Sequence, residues 1–107
     1  MDVIDTRALP VLEKAPGWRG RMFHSANMTF GHWDFAAGSS IHEHSHDQEE
    51  VWQIIDGEVE LTVDGVAQVA GPGTAAIVPP GARHSVTALT DGVAIVVDYP
   101  LRLDFGA

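Results

Sequence analysis

The run Glu58-Val59-Glu60-Leu61-Thr62-Val63-Asp64-Gly65-Val66-Ala67-Gln68-Val69-Ala70 decides the fold class. Successive side chains of a β-strand point to opposite faces. Val59, Leu61 and Val63 therefore share one face, and Glu58, Glu60 and Thr62 the other. Asp64-Gly65, set between two such runs, is a strong tight-turn signal, because the turns that follow strand twist need positive φ and favour Asp-Gly. The run reads as an antiparallel hairpin with one apolar face.

The same grammar extends outward. Upstream, Glu50 to Asp56 reads as a strand closed by Gly57, and Met22 to Phe35 as one long strand or two joined by a bend. Downstream, Gly71-Pro72-Gly73 makes a turn and Thr74 to Val78 a short apolar strand. Pro79-Pro80-Gly81 breaks the ladder, since proline has no N–H to donate. His84 to Leu89, the Asp91-Gly92 turn and Val93 to Tyr99 form a last hairpin. Residues 1–21 are mixed, with Pro10 and Pro16-Gly17 interrupting any regular element and Val11-Leu12 as a short edge strand. No long stretch repeats apolar residues at helical spacing, and about eight strands result. The expectation is an all-β sandwich or barrel.

Composition bounds the function. At 107 residues the chain reads as one domain, residues 1–107. It contains no cysteine, so any metal must be held by nitrogen and oxygen. Fifteen acidic residues against six basic ones give a net charge of −9. That argues against nucleic acid, which needs clustered Lys and Arg to neutralise phosphates, and against an anionic membrane. The N-terminal residues lack a basic segment followed by an apolar run, so no secretory signal is read there. The aliphatic run Val93 to Val97 is far shorter than the roughly 20 residues that span a bilayer. A cytoplasmic protein is expected.

His42-Glu43-His44-Ser45-His46-Asp47-Gln48-Glu49-Glu50 packs three of the six histidines beside two adjacent glutamates. On a strand His44 and His46 face the same way, and Glu50 opens the next strand. If Glu50 faces inward, so do Trp52 and Ile54; if His84 does, so do Val86 and Ala88. Three imidazoles and one carboxylate would then converge in an apolar cavity. A single histidine would read as an ordinary surface or core residue. Four ligand-type residues together suit a divalent metal with open coordination positions.

The spacings form two blocks, G-x5-H-x-H-x3-E-x6-G over residues 38–57 and G-x5-P-x-G-x2-H from Gly73 to His84. This resembles the two-part motif of the cupin superfamily, whose second block continues to residue 88. The resemblance implies a double-stranded β-helix, or jelly-roll, barrel. It implies a metal site of His44, His46, Glu50 and His84. The asparagine that usually follows that histidine is Ala88 here; it is not a ligand in the family pattern.

Other residues keep two readings. His42 shares the parity of His44 and His46 and is either a partner near the site or an exposed rim histidine; many relatives have proline there. Glu49 reads as surface, and His24 and His32 as structural or exposed. Asp98 shares a strand face with Ala94 and Val96. It is either an acid or base near the mouth of the pocket or an exposed strand-end aspartate. The tail Pro100-Leu101-Arg102-Leu103-Asp104-Phe105 resembles the P-x-R-x-D-F ending of small cupins, including ones that open unsaturated uronate sugars. In those enzymes acidic and arginine residues near this end move a proton and hold a carboxylate. Arg102 matches by position, whereas their aspartate falls on Val96, two residues before Asp98. A structural clamp with Asp104 is the other reading of Arg102.

Val51, Ile55, Ile95 and Val97 make the outer faces apolar enough to need a cover, which either the N-terminal segment or a second subunit could supply; a homodimer is expected. Together these features point to a metal-dependent isomerase or dioxygenase acting on a small sugar acid, organic acid or phenolic compound. One divalent transition metal per chain (Fe, Mn, Ni or Zn) would serve it, with Asp98 and Arg102 as the candidate catalytic residues. The alternative is a non-catalytic module that binds a metal or small ligand.

Overall fold

The computed structural model describes residues 1–103. A 3-10 turn at Thr6–Ala8 precedes ten strands: β1 (Val11–Ala15), β2 (Trp18–His24), β3 (Thr29–Phe35), β4 (Ser40–His44), β5 (Glu49–Asp56), β6 (Val59–Val63), β7 (Val66–Ala70), β8 (Ala75–Val78), β9 (His84–Ala88) and β10 (Gly92–Tyr99). They form a six-stranded sheet in the order β1-β2-β3-β10-β5-β8 and a four-stranded sheet in the order β4-β9-β6-β7. Every pairing is antiparallel. The two sheets pack face to face as the expected jelly roll. No helix among the described residues is long and apolar enough to cross a membrane.

The expected hairpin forms between β6 and β7. Val63 pairs with Val66 across Asp64-Gly65, and both turn residues have positive φ, 47° and 81°. Val59 and Leu61 are buried while Glu58 and Glu60 are exposed. Gly57, also at positive φ, lies so close to the next turn that a Cβ there would meet the Asp91 carbonyl oxygen at 2.2 Å.

The N-terminal region is more regular than expected. Pro16-Gly17 does not interrupt an element; it turns β1 into β2, with Ala15 paired to Trp18 and Gly17 at φ 85°. Proline followed by a positive-φ glycine suits the two central positions of a type II turn. The stretch from Met22 to Phe35 is two strands, and the first starts earlier, at Trp18. At the bend, the Ser25 amide donates to the Met28 carbonyl at 2.9 Å, and the Ser25 hydroxyl accepts from the Met28 amide. This split, together with β4 (Ser40–His44), raises the count from about eight strands to ten.

The core between the sheets holds Trp18, Trp33, Phe35, Trp52, Ile54, Leu61, Val86 and Val96. Gly20 and Gly31 make room for the Trp33 indole, since a Cβ at either would lie 2.7 Å or less from it. Cross-strand register lines up the inner face in rows. One row runs Met22, Gly31, Val96, Trp52, Ala76, and the next runs His24, Thr29, Asp98, Glu50, Val78. The second row carries polar groups where a core would ordinarily be apolar, which sets that end of the sandwich apart.

Candidate metal centre

Three structural sources supply the donors. β4 ends at His44, directly opposite His84 at the start of β9. Glu50 faces inward from β5 of the other sheet. His46 lies beyond the end of β4, in the loop to β5, so its inward position is set by that loop and not by strand alternation. The loop is pinned where the Gly81 amide donates to the His46 carbonyl at 2.8 Å. The turn glycine of one sequence block thus fixes a histidine of the other.

The ligand-type atoms of His44, His46 and His84 lie within 4.8 Å of one another. Two bonds of about 2.1 Å to one ion span nearly that distance. Glu50 closes the group, with Oε1 3.4 Å from His46 Nε2 and Oε2 3.2 Å from His84 Nε2. His44 Nδ1 donates to the His42 carbonyl at 2.8 Å, and His84 Nδ1 to the Ala82 carbonyl at 2.9 Å. Because a carbonyl only accepts, each Nδ1 carries the proton in these bonds, and Nε2 is left with its lone pair toward the cluster. Nε2 of His46 and of His84 are buried and have no hydrogen-bond partner. Buried polar atoms are rarely left so. Borderline imidazole nitrogens with a carboxylate oxygen are a donor set that fits a divalent transition metal.

Charge is organised to match. Burial pushes the Glu50 carboxyl up, yet contacts with His46, His84, Asp98 and Trp52 more than offset this and hold it well below the ordinary carboxylate range. The Trp52 indole N–H donates to Glu50 Oε2 at 2.8 Å. Burial likewise pushes His84 down, but the Glu50 carboxylate and the Ala82 carbonyl leave it above its ordinary value. For His44 burial prevails: its imidazole is held below the ordinary value and stays neutral near pH 7.

Arg102 is buried, with Nη1 3.4 Å from Glu50 Oε1 and 3.9 Å from Asp98 Oδ2. Its backbone amide donates to the Thr29 hydroxyl at 2.9 Å, which ties the chain after β10 to β3. Asp98 is fully buried beside Glu50, its register partner, so the exposed strand-end reading does not describe it. With His46 and Glu50 it forms a second close group of metal-ligand type. The cavity in front of the donors has a volume of about 20 Å³ and is lined by Lys14, Trp33, Ile41, Val86, Val96 and Arg102 together with donor residues. Arg102 lines this space and Asp98 stands behind it.

His42 is exposed, and what it gives the site is its backbone carbonyl, not its imidazole. Glu49 is on the surface as expected. His24 bonds to Thr29 at 2.7 Å, and His32 sits on the outer face near Asp34; neither joins the cluster. Asp104, the other reading's partner for Arg102, lies outside the described residues. Sequence reasoning missed Lys14 and Thr29. Lys14 stands in a segment read as irregular, and its signal is that it is the chain's single lysine.

The fold is shared with known proteins. A family model described as the cupin domain matches residues 31–100, about two thirds of the chain. An RmlC-like cupin from Shewanella frigidimarina is 25% identical, with a TM-score of 0.87 over 95% of this chain and 93% of that one. KdgF from Halomonas sp. is 20% identical, with a TM-score of 0.88 over 97% of both. An oxalate decarboxylase variant from Bacillus subtilis is 20% identical, with a TM-score of 0.82 over 91% of this chain and 29% of that one. No curated protein sequence matches. On the family match and the shared jelly roll, the chain belongs to the cupin domain family.

Proposed function

We propose that the protein is a metal-dependent enzyme acting on a small organic or sugar acid or a phenolic compound, by isomerisation or dioxygenation. His44, His46, Glu50 and His84 would hold one divalent transition metal: Fe, Mn, Ni or Zn. The observation that carries the reading is the pair of buried Nε2 atoms, on His46 and His84, that face Glu50 with no hydrogen-bond partner. When bound, such a metal supplies Lewis-acid polarisation of a substrate oxygen or a redox centre for oxygen chemistry.

The chain's own residues do the rest. The His42 and Ala82 carbonyls hold two imidazoles in the tautomer that offers Nε2. Trp52 and Arg102 fix the Glu50 carboxylate. Arg102, which lines the cavity, presents positive charge to an anionic substrate or intermediate. Asp98 positions that guanidinium from behind. Trp33, Ile41, Val86 and Val96 keep the cavity dry, which strengthens each of these interactions. Kinship of fold with solved enzymes such as the oxalate decarboxylase supports an enzymatic role without choosing the reaction.

The test is metal analysis of tag-free protein, then proton exchange on sugar acids beside oxygen uptake with Fe(II) and phenolic substrates. Stoichiometric metal that is lost in His44→Ala, with turnover in one assay, is the expected result. Absence of stoichiometric metal would sink the reading. Metal with tight ligand binding but no turnover would favour the binding module.

We further propose that two copies associate through the outer face of the six-stranded sheet. Cross-strand register places Phe23, Phe30, Val97, Val51 and Ile77 in one row across β2, β3, β10, β5 and β8. The Phe23 and Phe30 rings stack with centroids 5.0 Å apart. Sedimentation should report a dimer, and Val51→Lys a monomer; a monomeric parent protein would refute it.

A further inference from the structure

The chain carries one lysine against fifteen acidic residues, and that lysine does not pair with any of them among the described residues. Arg7, Arg21, Arg83 and Arg102 each sit within ion-pair distance of a carboxylate. Lys14 is half-buried and lines the cavity in front of the metal-type donors, together with His44, Glu50, Trp52, His84 and Arg102.

Its placement is local and specific. β1 is the edge strand of the six-stranded sheet and comes close to β4, the edge strand of the other sheet that ends in His44. Glu13 pairs with Arg19 and Ala15 with Trp18, so Lys14 is an extra residue with no partner across the ladder. A bulge of this kind kinks the strand and re-aims the side chain; such bulges recur at sheet edges and beside active sites. The cavity itself, about 20 Å³, has room for little more than one water or ion. An organic substrate must therefore extend beyond this space, and Lys14 is one of the two cationic side chains on its lining, with Arg102.

Building on the reading of the site as a metal-dependent enzyme, we infer that Lys14 anchors a carboxylate of the substrate. The substrate is a small organic acid that presents one oxygen to the donor cluster and holds a second, anionic group against Lys14. The lysine ammonium is a compact charge on a flexible four-carbon stem. It can meet that carboxylate without moving the sheet. This assigns a specificity-determining role to a residue outside both motif blocks.

The test uses malonate and malonamate, which differ by one negative charge. Binding is followed by intrinsic tryptophan fluorescence, since Trp33 and Trp52 line the cavity, on Zn(II)-loaded and on metal-free protein. Wild type should bind malonate at least about tenfold more tightly than malonamate, as expected for a charge-assisted hydrogen bond. Lys14→Met should lose that preference with Zn(II) uptake intact, and Lys14→Arg should restore most of it. A melting curve for each variant separates misfolding from lost recognition, with Lys14→Gln as a second neutral variant. Equal preference in wild type and Lys14→Met, or no malonate binding at all, would overturn the assignment. Failure to take up Zn(II) would overturn the metal reading instead, and the metal-free series would still decide the role of Lys14.

Discussion

Replacing Trp52 by phenylalanine should weaken metal binding without touching a single candidate ligand. The indole N–H lies 2.8 Å from Glu50 Oε2 and is buried with it. A hydrogen bond to a charged acceptor contributes about 1.5–3 kcal/mol. Part of that loss is common to the metal-free and metal-bound protein and cancels. The remainder should weaken affinity about 10-fold, the low end of the 10–100-fold range for partners that orient a ligand. The smaller ring also leaves space against Trp18, whose ring meets Trp52 edge-on at 5.9 Å. With the lost bond, the fold should lose about 2 kcal/mol, or roughly 10 °C in Tm. Trp18→Phe is the control: Trp18 is fully buried and stacks on Phe35, so it should cost stability and leave affinity unchanged. The assay is Co(II) titration followed by visible absorption, with thermal melts alongside. A folded Trp52→Phe protein with wild-type affinity, or equal affinity losses in both variants, would refute the claim that the indole holds Glu50 in place.

Further outcomes follow from other residues. His84→Ala removes a proposed ligand outright and should lower metal affinity by more than about 100-fold, beyond the range for outer partners; calorimetry reads it. In metal-free protein, His84 is held above its ordinary 6.5, so its stabilising contribution is full below pH 6.5 and is lost as pH rises through the raised value. Glu50 is held below its ordinary 4.5, so its contribution is present above pH 4.5 and is lost as pH falls through the lowered value. Melts across pH should show a stability maximum between those limits, and His84→Gln should remove the alkaline loss. Metal uptake must also displace the His84 proton, so affinity should fall about tenfold per pH unit below that raised value. Gly57→Ala combines φ 77° with a Cβ 2.2 Å from the Asp91 carbonyl oxygen. It should cost at least about 3 kcal/mol, read as a Tm drop of more than about 10 °C.

Much of this structure is legible in the residues, for identifiable reasons. The strands facing both core and solvent announce themselves by alternation, as Val59, Leu61 and Val63 do. The glycines of the two sequence blocks, Gly38, Gly57, Gly73 and Gly81, all adopt positive φ between 76° and 83°. Their spacing records backbone geometry that other residues adopt only with strain. Alternation also groups Glu50 with Trp52 and Ile54, and His84 with Val86, on shared faces, and all five are buried. It failed where the chain leaves regular structure. His46 is held by a loop, and Lys14 by a bulge that shifts the register by one residue. Asp98 shares a strand face with Ala94 and Val96, which leaves it either near the pocket mouth or exposed at the strand end; alternation says nothing of depth, and the residue is fully buried beside Glu50 and Arg102. Pro16-Gly17 reads as a break from sequence because proline and glycine mark tight turns and irregular loops with the same letters.

The candidate ligands are divided between the two sheets. His44 and His84 come from the four-stranded sheet, Glu50 from the six-stranded one, and His46 from the loop that crosses between them. A shared ion would act as a clasp at one end of the sandwich, in a chain with no cysteine to form a covalent one. Its grip would add to stability by RT ln(1 + [L]/Kd). It would do so unevenly: amide exchange should slow most in β4, β9 and the start of β5, and least in the hairpin of β6 and β7 at the far edge. The residues that equip the site for chemistry would then also set how firmly that end of the molecule stays shut.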